Sequence, residues 1–201
     1  MPVNTVTLAH RNHASQIALL HDQGLDQSFL RKLGLPFLTS MYRFFIQHEL
    51  VYVYLEEGQV KGFISASLST EKVMRRFVTG SPAGIFHMMI AVFKQPSLLK
   101  SIYETYSSSH TTHSTPMIAL PSVELLSIVV SNEVRQGGVG SQLLAALEGE
   151  LKHLDVKLYK VVAGDKLLGA NRFYMKNGFE KVAQVTIHGD EVSNVYVKQL
   201  G

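Results

Sequence analysis

Between Glu124 and Leu144 an apolar strand, Glu124-Leu125-Leu126-Ser127-Ile128-Val129-Val130, runs into a turn with glycines at 137, 138 and 140. The turn opens directly into a helix whose apolar stripe is Val139, Leu143, Leu144, Leu147, Leu151 and Leu154. Glycines at 138 and 140 let the main chain approach a ligand closely. The first-turn amides of the helix have no intrahelical acceptor and lie at the positive end of its dipole. Together these features read as a cradle for a phosphate group. No Gly-Lys-Ser/Thr follows, so the turn is not a P-loop, and the glycine spacing is not the three-glycine dinucleotide pattern. A glycine-rich helix start with no ligand would share the local pattern, so the surroundings must decide.

A second group of chemically useful side chains lies further on, in Ala170-Asn171-Arg172-Phe173-Tyr174-Met175-Lys176-Asn177-Gly178-Phe179. Arg135-x-x-Gly138-x-Gly140, entered from an apolar strand and followed by Leu143-Leu144, resembles the coenzyme A pyrophosphate signature of the GNAT superfamily of acetyl-CoA-dependent N-acetyltransferases. The 170–179 segment looks like that family's second signature, in the right order and at the right spacing. The resemblance covers residues 121–200 closely and the strands at 51–68 more loosely.

The resemblance implies a set of roles. Arg135, Gln136, Gly137, Gly138, Gly140 and Ser141 would surround the pyrophosphate, the amides of Gln136, Gly138, Gly140 and Ser141 holding it. Ile128, Val129 and Val130 would pair their backbone with the pantetheine arm, and the amide near Ile128 would polarise the thioester carbonyl. Tyr174 would protonate the leaving thiolate, although a tyrosine on an amphipathic helix is also a core residue by default. Glu124 is the candidate general base, since an amine that arrives as ammonium must lose a proton before it attacks. Its alternation with Leu126, Ile128 and Val130 puts it on their face of the strand, and a solvated carboxylate is the plain alternative. Where the family often has an asparagine seven residues before the tyrosine, this chain has Leu167; Asn171 is the expected substitute contact for the cofactor.

The elements that must position these residues follow from periodicity. Val6 and Leu8 alternate with Thr5 and Thr7, and helical spacing begins at Ala14. From Asp26 to Phe45 apolar residues recur at three and four, with Gly34 and Pro36 splitting the stretch. Val51–Leu55 and Val60–Ala66 form a hairpin across Glu57-Gly58. Residues 71–116 read as a helical insertion, with helices near Val73–Val78, Ile85–Phe93 and Leu98–Tyr106 and then a polar loop containing His110 and His113. Beyond it come a strand at Val123–Val130, the 139–154 helix, a strand at Leu158–Ala163, a helix at Leu167–Lys176, and a hairpin of Lys181–His188 with Val192–Lys198. The fold class expected is α/β, with a central mixed, mostly antiparallel sheet, a parallel strand–helix–strand cofactor unit and a helical insertion, arranged as a GNAT-like three-layer fold.

Composition sets the outer limits. The chain has 201 residues, 46% apolar and 17% charged, which fits one domain over 1–201 with the cofactor half at about 121–200. It contains no cysteine, which removes a disulfide framework and a cysteinyl acyl-enzyme and points to a cytoplasmic setting. Nineteen Lys+Arg against sixteen Asp+Glu suit a polyanionic ligand without arguing for nucleic acid. No apolar run reaches a membrane span, and no histidine pair has metal-ligand support. The expected partners are acetyl-CoA and a small amine acceptor, with no metal, while a homodimer is allowed but not specified. An amino sugar is among the acceptors expected, and the basic residues Arg75, Arg76, Lys94 and Lys100 in the insertion would suit a sugar nucleotide or other phosphorylated acceptor. The alternatives are acetylation of a protein or peptide amine, and a non-catalytic coenzyme A-binding module.

Overall fold

The computed structural model describes residues 4–25, 28–96, 120–188 and 191–201. Its strands are β1 (Thr5–Leu8), β2 (Leu50–Glu56), β3 (Gln59–Ser67), β4 (Glu124–Val130), β5 (Leu158–Gly164), β6 (Glu180–His188) and β7 (Glu191–Gln199). They form one sheet in the order β1-β2-β3-β4-β5-β7-β6. Every adjacent pair is antiparallel except β4 and β5, which run parallel and are joined through a helix. That is the mixed sheet expected, with the parallel unit at its centre.

The helices are α1 (Ala14–Gly24), α2 (Leu35–His48), α3 (Thr70–Gly80), α4 (Pro82–Lys94), α5 (Val139–His153) and α6 (Leu168–Lys176). The 26–45 pattern resolves into a 3-10 turn at Phe29–Leu33, a left-handed Gly34, and α2. Pro36 starts α2 rather than interrupting it, because a proline in the first turn gives up an amide that has no helical acceptor anyway.

The two sheet faces carry separate cores. α1 and α2 pack Ile17, Leu38, Met41 and Tyr42 onto Val51, Val53, Phe63 and Val129. α5 packs Leu143, Leu144, Leu147 and Leu151 onto Ile64, Ala66, Leu125, Tyr159 and Val161. Each of those four leucines is buried, worth roughly 1.5–3 kcal/mol apiece in transfer free energy. Leu154 lies just past the end of α5 and is exposed.

Within the expected insertion, α3 buries Val73 and Phe77, with the Phe77 ring edge-on to Phe37 and Phe44. α4 behaves differently and leaves Phe86, Met89 and Phe93 exposed. The expected helix at 98–106 and the loop with His110 and His113 lie outside the described residues. Among the described residues no helix is long and apolar enough to cross a membrane.

Candidate active site

β4 pairs with β3 along its length except at Leu126, but its parallel pairing with β5 is confined to Glu124↔Lys160 and Leu125↔Val161. Beyond Leu125 the two strands diverge, so residues 126–130 of β4 have no ladder partner on the β5 side. Backbone groups on such an edge can accept an extended ligand as a further strand. The ladder with β3 passes from Ser65↔Ser127 to Ala66↔Leu125, making Leu126 a β-bulge.

The bulge corrects one expectation. Ile64, Ala66, Leu125, Ile128 and Val130 all face α5, whereas Glu124 is in register with Ser67 and shares the opposite face with Ser127 and Val129. The alternation that groups Glu124 with Leu126, Ile128 and Val130 therefore fails at the bulge. Glu124 faces α3.

At the far end of β4 the turn has the backbone geometry expected of a cradle. Gly138 caps α5 in the left-handed region with φ 76°, and the first α-helical bond is Gln142 N–H donating to Gly138 O at 3.0 Å. The amides of Val139, Gly140 and Ser141 precede that bond and point off the helix end. A β-carbon on Gly138 would meet nothing within 4 Å, so its glycine is needed for φ alone. Gly140 serves packing instead: a β-carbon there would lie 3.1 Å from the Phe173 ring. The Gly137 amide is taken by Val134 O at 3.3 Å, and Gln136 adopts φ 75° without being glycine. Arg135 donates to Val130 O at 3.3 Å, and Ser141 Oγ donates to Asn177 Oδ1 at 3.2 Å, tying α5 to the end of α6. A cavity of about 340 Å³ opens beside this turn, between the end of α1 and residues 129–135.

Glu124 Oε2 accepts from Thr70 Oγ1 at 3.0 Å and lies 3.4 Å from Lys160 Nζ, which also donates to Pro121 O at 2.6 Å. Its Oε1 has no hydrogen-bond partner among the described residues. Tyr174 is on the other side of the sheet, its ring buried against Phe173, Phe179 and Tyr196. Its hydroxyl has no hydrogen-bond partner among the described residues. Burial, followed by the neighbouring Tyr196, pushes its phenol above the ordinary range, so it holds its proton at neutral pH.

Asn171 uses its side chain within the fold. Its Nδ2 donates to Gly164 O at 3.0 Å, Asp165 O at 3.1 Å and Leu167 O at 2.9 Å. Its Oδ1 accepts from Asn194 Nδ2 at 3.1 Å and Tyr196 Oη at 2.8 Å. An amide has two N–H groups and two lone pairs, so this network spends it completely. Asn171 thus fixes α6, and with it Tyr174, against β5 and β7. Arg76, expected to favour a phosphorylated acceptor, is instead 2.8 Å from Glu49, whose side chain is only 1% exposed.

Sequence reasoning did not find the polar groups on the face that Glu124 shares. Ser65 and Ser67 are buried on β3, and Ser127 stands opposite Ser65 on β4. Above them Tyr42 Oη lies 2.6 Å from His21 Nδ1, and His21 Nε2 lies 3.0 Å from Ser28 Oγ. Helical spacing assigns residues 21 and 42 to helix faces; only the packing of α1 against α2 brings them together over the sheet.

Residues 105–181 match the family model described as an acetyltransferase (GNAT) domain. Over residues 105–181 the chain carries the GNAT acetyltransferase domain that this match describes. The acetyl-CoA-dependent N-acetyltransferase class expected from the sequence is the class of that domain. Solved structures share the GNAT fold at low identity. An N-acetyltransferase from Staphylococcus aureus Mu50 is 15% identical, with 99% of each chain covered and a TM-score of 0.64. The yncA protein of Salmonella typhimurium, solved with its cofactor acetyl-CoA, is 15% identical over 98% of this chain and 94% of its own, with a TM-score of 0.60. The ribosomal-protein-S18-alanine N-acetyltransferase of Escherichia coli is 12% identical over 99% and 95%, with a TM-score of 0.56. No curated protein matches the chain.

Proposed function

We propose that this GNAT domain moves an acetyl group from acetyl-CoA directly to the primary amine of a small molecule. The observation that carries the reading is the open β4 edge, which runs from the bulge at Leu126 to the left-handed Gly138 turn. Pyrophosphate would rest on the amides of Gln136, Gly138, Gly140 and Ser141, with the guanidinium of Arg135 beside them. Ile128–Val130 would align the pantetheine arm, and the Ile128 amide would stabilise charge developing on the thioester oxygen.

The two candidate acid–base groups reach this edge from opposite faces. Glu124 Oε1 takes a proton from the acceptor nitrogen while Thr70 and Lys160 hold Oε2. Tyr174 gives its proton to the leaving sulfur. Holding both substrates in one cleft converts a bimolecular encounter into an oriented attack, which supplies much of the acceleration. With no cysteine in the chain, direct transfer needs no cysteinyl intermediate. The absence of cysteine also fits work in the cytoplasm.

The test is acceptor-dependent thiol release from acetyl-CoA across a panel of amines, amino sugars and peptides. Glu124→Gln and Tyr174→Phe should each lower kcat by about 10²–10⁴-fold, the range for general acid–base groups, with acetyl-CoA affinity by calorimetry kept within about twofold. Unchanged rates in both variants would overturn the role assignments. Tight acetyl-CoA binding with no thiol release for any amine would favour a binding module. Release with peptides alone would move the acceptor to the protein class, the kind of substrate named for the Escherichia coli neighbour.

A further inference from the structure

The two long faces of α4 differ in what they meet. Inward, Gly84, Met88, Ala91 and Val92 turn toward the core that α2 and α3 share. Gly84 sets that seating: a β-carbon there would lie 2.4 Å from the Phe77 ring and 2.8 Å from Ser81 Oγ, so only glycine lets α4 come this close to α3. His87, beside the inward face, has Nδ1 3.0 Å from Ser40 Oγ. Outward lie Phe86, Met89, Ile90 and Phe93, which recur at three and four and so form one stripe along the helix. They are 57%, 56%, 38% and 89% exposed. No polar side chain interrupts the stripe.

The charge around the stripe has one sign. Neither α2 nor α4 contains an aspartate or glutamate, and the sequence has none from Lys72 to Gln95. Lys94 follows Phe93 directly and is exposed. Lys72 and Arg75 are exposed on α3, and Lys32 on the 3-10 turn at Phe29–Leu33, two elements that pack against α4. Such a face admits three kinds of cover. A second copy would set these cations against their own kind, and like charges across an interface oppose association. A folded protein partner fixes its register with roughly one hydrogen bond per 100–200 Å² of contact, and the stripe offers none. A bilayer with anionic headgroups needs no such register. Its acyl boundary takes up the apolar side of a helix lying in the interface, and its phosphates meet the flanking cations.

We propose that α4 docks this protein on the surface of an anionic lipid bilayer, with Phe86, Met89, Ile90 and Phe93 entering the boundary between headgroups and acyl chains while Lys94 and the α3 cations stay at the phosphates. Contact of this kind runs along a helix and not through the bilayer, so the 13 residues of α4 suffice without a spanning segment. The seating of Gly84 on Phe77 keeps the stripe from rolling inward when no surface is present. The proposal stands apart from the transferase reading, because α4 supplies none of the residues assigned to acetyl transfer.

The chain has no tryptophan, so Phe93→Trp in the full chain places a single fluorophore on the stripe with no background. It is titrated with vesicles of phosphatidylcholine alone and of phosphatidylcholine with roughly a third phosphatidylserine. With the anionic vesicles the emission should shift to the blue, and partitioning should be about tenfold or more stronger than with phosphatidylcholine. Adding Phe86→Gln and Met89→Gln should weaken binding by about tenfold or more, and Lys94→Gln by about fivefold, the latter loss fading at high salt. All three side chains are exposed, so Tm should stay within about 2 °C. Emission that is blue without vesicles means that the chain itself covers the stripe, and a blue shift that grows with protein concentration means a second copy; either overturns the proposal. So does the absence of a shift with both vesicles, equal binding to the two, or binding that survives the loss of Phe86 and Met89. Acetyl-CoA affinity of the Phe86→Gln, Met89→Gln variant should be unchanged, so failure of docking and failure of the transferase reading are separate results.

Discussion

The two faces of the sheet satisfy their polar groups in different ways. On the α5 face, the polar side chains near Tyr174 close upon one another: Asn171 saturates its amide with Gly164, Asp165, Leu167, Asn194 and Tyr196. On the α1–α2 face, the polar groups form an open series of serines, a tyrosine and a histidine, with Ser65 left unpaired. A closed network fixes geometry, whereas an open chain can carry protons or receive a substrate atom. The contrast makes the α5 face the rigid side of the sheet and leaves the α1–α2 face with polar groups still able to take a partner.

The largest test of the closed side is Asn171→Leu. The volume is nearly kept, but the Tyr196 hydroxyl and several carbonyls lose a buried partner, at roughly 1–3 kcal/mol per stranded group. A total of about 3–5 kcal/mol is expected, lowering Tm by roughly 10 °C for a chain of this size. Scanning calorimetry would read it, and a shift under about 2 °C would show that the network is not what holds α6.

The matching test of the open side uses pH. His21 is lowered from 6.5 to about 4. Between those values the unfolded chain binds a proton that the fold refuses, so this stabilisation is complete above pH 6.5 and is lost as pH falls toward 4. The amount is about 3 kcal/mol. Urea unfolding of the wild type should steepen with acid over that window, and His21→Gln should show a flatter curve by that amount. Parallel curves would remove His21 as the cause.

The same contrast explains what could be read in the sequence. The segment from β4 through α5 is written in contiguous patterns: an apolar strand, a glycine turn and an amphipathic helix sit next to one another in the chain, so spacing alone locates Gly138 and the α5 stripe. The other face is assembled from residues 21, 28, 42, 65 and 127, which are distant in sequence and meet only through packing. Leu126 shows a subtler limit. A bulge adds one residue to a strand without altering its composition, so alternation placed Glu124 on the wrong face. Asn171 shows another, because a polar residue one turn before Tyr174 could point toward the cofactor or into the fold, and only the partners on β7 decide.

A smaller effect separates α3 from both networks. Glu49 is buried, which raises its carboxyl above the usual range against the pull of Ser67 and of Arg76. Arg76 sits close to Glu49 Oε1 but out of line for a hydrogen bond, and is itself 43% exposed. Arg76→Met would leave Glu49 uncompensated; the solvent around Arg76 cuts the expected loss to about 1–2 kcal/mol, below that of a fully buried pair. Adding Glu49→Gln should recover most of it in a double-mutant cycle, and additive losses would mean that the pair does not interact.

The smallest effect lies inside the cradle, where two residues adopt nearly the same left-handed backbone: Gln136 at φ 75° and Gly138 at φ 76°. A side chain in this region costs on the order of 1 kcal/mol, because Cβ crowds the carbonyl oxygen. Gly138→Ala should therefore destabilise by about 1 kcal/mol even though open space surrounds the new methyl group. Gln136→Gly relieves the same strain but returns part of the gain through a more flexible unfolded chain, leaving about 0.5 kcal/mol of stabilisation. Denaturant unfolding can resolve opposite signs at two positions in one turn. If Gln136→Gly were instead destabilising, the glutamine side chain would have to form an interaction worth more than the strain it bears, and the cradle would be held by that side chain as well as by its amides.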